Sequence, residues 1–269
     1  MTATAHARFV ALHRAATPLL LVNAWDAASA RLWQELGAPA VATSSAAVAW
    51  SRGYADGGAL PRTVLLDSCA DLVRVCSVPV TVDLEDGYSE DPAAVAALAA
   101  EVVGLGVVGF NLEDGGGAPE LLTAKIRAIR AALGPTPAFI NARTDVYLRG
   151  LASGEAAVAA TIQRLTMYRD AGADGGFVPG LTAAADAARI AAAVPLALNL
   201  MTVPGLAPLA ELQAAGVCRV STGPGLFKVA YAAGQQAAMA CLGGDFASLY
   251  AAPLDYGTMN RLFAVPTPR

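Results

Sequence analysis

A single (β/α)8 barrel is the fold this sequence predicts, and three observations carry that reading. From Leu19 onward, short apolar runs alternate with alanine- and leucine-rich helical stretches, eight times over. Polar residues collect at the carboxyl ends of those runs. The chain has 269 residues, 55% of them hydrophobic and only 6% aromatic, and barrels of about 250 residues commonly fill one domain.

The apolar runs cover residues 19–23, 40–45, 78–85, 107–113, 138–144, 175–179, 196–201 and 218–222. Helices are expected over 27–36, 62–76, 92–103, 119–133, 154–171, 183–193 and 206–215, with a last one from about 226 to 241. Asp91 before Pro92 supplies an N-cap and a proline at the first helical position. Gly37, Gly134, Gly172 and Gly216 stand where helices should end. Short connections between alternating strands and helices imply a parallel sheet with right-handed crossovers. The whole chain, 1–269, reads as one domain with a C-terminal helical extension. Residues 242–269, with Gly243, Gly244, Pro253, Pro266 and Pro268, are expected to form an irregular tail that packs on a neighbouring subunit or frays.

Composition excludes several classes. The net charge is −4 with no Lys/Arg-rich run, so a nucleic-acid or anionic-membrane footprint is missing. Residues 93–110 resemble a membrane span, but Gly104, Gly106 and Gly109 break them into a helix followed by a strand. The apolar run at 18–22 is too short for a secretory signal. Cys69, Cys76, Cys218 and Cys241 form no CxxC pair and no metal spacing with His6 or His13, which points to reduced thiols in a cytoplasmic protein and away from zinc.

The carboxyl ends of the runs carry Asn23, Ser44, Ser45, Asp83, Glu85, Glu113, Asp114, Asn141, Arg143, Asp145, Asn199, Ser221 and Thr222. Asp83 and Glu85 stand two apart on an expected strand, so they should share its interior face. Unpaired carboxylates there are costly, and a divalent cation removes the cost. With Glu113 they make an all-oxygen, Mg²⁺-like set, Mn²⁺ being a possible substitute; the competing reading pairs them with Arg143 or with helix caps. Arg143 is the counter-charge for a substrate carboxylate or enolate, or else a salt-bridge partner of Glu113 or Asp145. Ser44 and Ser45, ahead of Ala46 and Ala47, suit backbone-amide contacts to an oxyanion. Residues 51–62, SRGYADGGALPR, read as a lid that delivers Asp56 and Tyr54, or as a plain surface loop.

Two motifs are set aside. The GxGxxG at Gly104–Gly109 leaves a helix and enters a strand, the reverse of a dinucleotide site. Gly223-Pro224-Gly225 reads better as a turn into the last helix than as a phosphate cradle. The two lysines, Lys125 and Lys228, fall inside expected helices, which argues against Schiff-base chemistry. Both histidines precede the first strand, which argues against a Ser-His-Asp triad.

Taken together, VNAWDAASARLWQELGAPAVATSS, SRGYADGG, VDLEDGYSED, NLEDG and INARTD resemble the isocitrate lyase/phosphoenolpyruvate mutase superfamily from Leu21 to about Ala230. The resemblance implies metal ligation by Asp83, Glu85 and Glu113. It places Arg143, Ser44 and Ser45 at the substrate and Asp56 on a gating loop; Trp25, Asp83 and Asn199 are further candidate substrate contacts, and Tyr54 is a candidate catalytic residue beside Asp56. It also implies Mg²⁺, a 2-oxo acid, an enolate-like intermediate and a homo-oligomer, dimer or tetramer, exchanging C-terminal helices. Two departures stand out. The lyase branch's Cys- and His-bearing loop is replaced by Glu113-Asp114-Gly115-Gly116-Gly117-Ala118-Pro119-Glu120, which also lacks the mutases' lysine and asparagine. Glu85 stands where the family more often has Asp. The expected function is Mg²⁺-dependent C–C cleavage of an oxaloacetate-type 2-oxo acid. The alternatives are P–C bond chemistry on phosphonopyruvate or phosphoenolpyruvate, and a barrel that binds 2-oxo acids without turnover.

Overall fold

The computed structural model describes residues 2–251 and 254–264. Nine parallel strand segments curl into a barrel ringed by helices. The first expected strand is in two pieces, β1 (Leu19–Leu21) and β2 (Asn23–Ala24). There follow β3 (Val41–Thr43), β4 (Val80–Asp83), β5 (Gly109–Glu113), β6 (Phe139–Arg143), β7 (Gly175–Phe177), β8 (Ala197–Met201) and β9 (Val217–Ser221). β1 pairs with β9 and β2 with β3, so the ring closes through the stretch on either side of Val22.

The crossovers are α2 (Ala27–Glu35), α4 (Arg62–Val75), α5 (Pro92–Gly104), α6 (Pro119–Leu133), α7 (Gly154–Ala171), α8 (Ala184–Ala193) and α9 (Leu209–Ala214), and α10 (Gly225–Leu242) follows the last strand. Local chemistry explains their ends. Asp26 caps α2 by accepting from Ser29 N at 2.7 Å, and Ser29 Oγ accepts back from Asp26 N. Asp91 caps α5. Gly172 ends α7 at φ 110°, a left-handed conformation that favours glycine.

Two apolar cores follow. The outer one packs helices on the sheet, with Val95, Leu98, Leu122, Ile126 and Ile129 against Phe110 and Leu112. The inner one fills the amino end of the barrel, where Phe9 meets Leu19, Leu21, Ala42, Val108 and Phe139. Phe9 belongs to α1 (Thr2–Leu12), a helix the sequence reading did not anticipate. Its ring lies 5.4 Å from that of Phe139, and His13 stacks on Phe139 at 4.4 Å. The short helix α3 (Ser45–Ser51) was also unforeseen.

The expected C-terminal helical extension is present, and it reaches further than expected, into the stretch read as an irregular tail. Within 242–269, α11 (Ala247–Tyr250) and α12 (Tyr256–Ala264) are helical. Leu262 is buried and its carbonyl accepts from Arg31 Nε of α2 at 2.9 Å, so α12 packs back on the barrel. Pro253, Pro266 and Pro268 lie outside the described residues. Residues 93–110 divide into α5 and β5 as expected, and among the described residues no helix is long and apolar enough to cross a membrane. Gly225 opens α10, so the Gly-Pro-Gly stretch is the expected turn.

Candidate active site

The carboxyl ends of β4, β5 and β6 bring Asp83, Glu113 and Arg143 together. The parallel register sets Glu113 opposite Arg143. Their ion pair follows, with Arg143 Nη1 2.6 Å from Glu113 Oε2. Arg143 also donates through Nε and Nη2 to Asp145, at 2.7 and 3.1 Å. Asp145 is fully buried and takes a further contact from Arg149 Nε at 3.1 Å. Arg143 is therefore already clasped by two acids, as the salt-bridge reading anticipated.

Asp83 and Glu85 do not converge by strand alternation. β4 ends at Asp83, and Glu85 lies beyond it at φ 51°, a left-handed conformation uncommon for a residue with a side chain. The turn aims Glu85 at the 51–62 loop, where its Oε2 accepts from Gly58 N at 2.5 Å. Its Oε1 accepts from the Tyr88 hydroxyl at 2.9 Å. Asp83 accepts from Ser45 Oγ and from Glu85 N, each at 3.2 Å. Its own N–H donates to Thr43 Oγ1 at 2.8 Å.

Burial pushes all three acids upward in pKa. For Asp83 the shift survives the opposing charge of Arg143. For Glu85, desolvation outweighs the bond from Tyr88 and is reinforced by the charges of Asp83 and Asp56. Glu113 is pushed up to about 8, by burial first and then by Asp83, Asp145 and Glu85, against the pull of Arg143. Arg143 pairs directly with Glu113 and Asp145 and its charge reaches Asp83, while Glu85 is held by Gly58 and Tyr88 and Arg149 reaches only Asp145.

Among the described residues no three His, Cys, Asp or Glu side chains are gathered as ligands of one ion. Glu113 faces Arg143, and Glu85 faces Gly58 and Tyr88. The donor chemistry nonetheless fits a hard divalent cation: all-oxygen, buried, and destabilised by mutual repulsion.

The other expected residues fall around this cluster. β3 stops at Thr43, and Ser44 and Ser45 open α3 rather than ending the strand. Ser45 is directed to Asp83 through both hydroxyl and backbone. Asp56 and Tyr54 are exposed on the loop above, held near the site by Gly58. Trp25 is buried against Trp33 and Phe227. Asn199 is fully buried, and its Nδ2 has no partner. Asn23 instead staples the barrel seam, accepting from Thr222 N and Gly223 N and donating to Thr43 O. Asp114 is satisfied by Arg164, Tyr168 and the Asp145 amide, and those partners hold its pKa down in spite of burial.

A cleft of about 360 Å³ opens beside the acids, lined among others by Gly58, Glu85, Glu113, Lys125 and Arg149. Sequence reasoning passed over three of its neighbours. Lys125 is buried on α6 and its Nζ reaches the Asp86 carbonyl at 2.6 Å; helix position alone was a poor guide to where so long a side chain ends. Tyr88 stood within VDLEDGY, and its spacing from Glu85 carried no signal without the left-handed turn. Arg149, four residues after Asp145, was legible only as a loop cation.

The family model for phosphoenolpyruvate phosphomutase matches residues 9–242. An uncharacterized protein of Mycobacterium tuberculosis is 37% identical over 257 residues, 91% of this chain and 95% of its own. The 2-methylisocitrate lyase of Halalkalibacterium halodurans is 32% identical over 217 residues, 75% of this chain and 69% of its own. A crystal structure from Burkholderia cenocepacia J2315, provisionally named a lyase/mutase, superposes with TM-score 0.89 at 36% identity, covering 98% of this chain and 97% of that one. Oxaloacetate acetylhydrolase in complex with oxalate shares the fold, with TM-score 0.84 at 23% identity over 96% of this chain and 93% of its own.

Proposed function

The chain belongs to the phosphoenolpyruvate mutase/isocitrate lyase superfamily, whose enzymes act on C–C or P–C bonds; on that premise we propose that it is a Mg²⁺-dependent lyase cleaving a C–C bond in a small 2-oxo dicarboxylate of the oxaloacetate type. The observation that carries this reading is the surplus of buried carboxylates around Arg143 at the carboxyl mouth of the barrel. Asp83, Glu85 and Glu113 would hold the ion, which when bound supplies Lewis-acid polarisation of a keto oxygen.

The chain's own groups do the rest. With oxaloacetate as the model, Arg143 stabilises the negative charge that develops on the keto oxygen as the C3–C4 electron pair moves into the enolate and the C4 carboxylate leaves as CO2. The amides of Ser44 and Ser45 support the same oxygen. Asn199 offers its free Nδ2 to the far carboxylate. Trp25 walls the substrate, and the loop bearing Tyr54 and Asp56 excludes water and manages the proton that returns to carbon. The apolar side chains exposed along α10–α12, Tyr231, Leu242, Tyr250 and Tyr256 among them, support assembly of copies through the C-terminal helices.

P–C bond chemistry is the second reading, favoured by the family that the 9–242 match describes. Purified protein with Mg²⁺ and oxaloacetate, phosphonopyruvate or methylisocitrate, with and without EDTA, separates the two. EDTA-sensitive loss of oxaloacetate supports C–C cleavage, and conversion of phosphonopyruvate supports the second reading. Binding of a 2-oxo acid with no turnover of any of the three overturns both.

A further inference from the structure

Among the described residues, Arg219 is the most unusual cation. It sits in mid-strand on β9, in register with Leu19 and Asn199, and is 1% exposed. Its Nη2 lies 3.4 Å from Asn111 Oδ1 on β5, across the barrel, so the guanidinium spans the interior. Asn111 is itself the register partner of Asp83 and accepts from Asn141 Nδ2 at 2.9 Å. Nε and Nη1 have no partner at all. Arg143, Arg149 and Arg164 each meet a carboxylate, whereas Arg219 has only that long amide contact.

A buried charge without a counter-ion costs several kcal/mol, and replacing buried charged groups by apolar side chains of similar volume is often neutral or stabilising. Structural need is thus a poor reason for an arginine here. The charge that works to keep it protonated is that of Asp83, at the site above, although burial lowers its pKa to about 9. On the side of the amino-end plug its field reaches His13, whose Nδ1 donates to the Phe9 carbonyl and whose Nε2 is unpartnered. We propose that Arg219 is a positioning residue of the active site: a cation beneath the acid cluster with no carboxylate in contact, held at a cost to the fold, whose field steadies the anionic form of a bound 2-oxo acid and the charge that grows on it. The proposal rests on the 2-oxo acid reading above.

The test is Arg219→Met and Arg219→Lys beside the wild type, each with Mg²⁺ present, read by melting temperature, oxaloacetate kinetics and calorimetric binding of oxalate, a planar dianion shaped like an enolised 2-oxo acid. Arg219→Met should raise the melting temperature by about 3–10 °C. It should also lower kcat roughly tenfold or more, weaken oxalate by about the same factor and leave KM within roughly threefold. Arg219→Lys, which keeps the charge, should retain most of kcat. A melting temperature that falls in Arg219→Met, or kcat and oxalate affinity that stay at wild-type values, overturns the proposal alone. A wild type that neither binds oxalate nor consumes oxaloacetate overturns the 2-oxo acid reading, and this inference with it.

Discussion

The amino end of the barrel is closed by Phe9, Leu19, Phe139 and a neutral His13, whereas the carboxyl end gathers Asp83, Glu85, Glu113 and Asp145, of which Glu113 and Asp145 pair with Arg143. The same contrast appears between two adjacent residues. Asp114 accepts from Arg164, Tyr168 and a backbone amide, and its pKa falls. Glu113, one residue earlier, shares its arginine with Asp145 and is pushed up to about 8. Asp114 is a carboxylate satisfied within the fold. The destabilised carboxylates at the mouth mark where a ligand would be stabilised.

If that division is right, substitutions at the two ends should fail in different ways. The largest effect is expected at the mouth. Glu85→Ala should cut oxaloacetate turnover by about a thousandfold or more while moving the melting temperature only a few degrees. An Ala variant with full activity would remove Glu85 from the site.

Next in size is the floor. Phe9→Ala should cost about 3–5 kcal/mol of stability, roughly 6–12 °C in melting temperature, because a fully buried ring leaves a cavity. Its kcat/KM at 25 °C should match the wild type. Lost activity without lost stability would tie the plug to catalysis and break the comparison.

The smallest effect is a pH dependence carried by His13. Burial and the charge of Arg219 lower its pKa to about 4 against an ordinary 6.5. A depressed folded pKa means the unfolded chain takes up the proton first as pH falls. The stability from a neutral His13 is therefore complete above 6.5 and is lost between 6.5 and about 4, by roughly 3 kcal/mol. Thermal melts should show the wild type losing stability relative to His13→Phe as pH drops through that window. A constant difference would mean His13 is not held neutral.

Periodicity made the barrel legible: every expected apolar run contains a strand, and every expected crossover a helix, within a few residues. Chain length and strand-end polarity located the mouth. Neither could show that Glu85 leaves the strand with φ 51°, since that turn is fixed by tertiary contacts to Gly58 and Tyr88. The plug helix α1 was hidden because its apolar residues Phe9 and Val10 sit among Ala, Arg and His. α12 was read as tail because its burial comes from a single leucine docked on α2. Arg219 carries no signal in the sequence beyond being one cation inside an apolar run. Only the closed ring turns that position into the barrel interior.

Mn²⁺ bound in crystals grown with oxalate, located by its anomalous scattering, tests the central claim most directly. A single strong peak within ligand distance of Asp83, Glu85 and Glu113, with Glu113 swung away from Arg143, is the expected result. A crystal that binds oxalate with no ion at those carboxylates, or an ion held elsewhere, would contradict it.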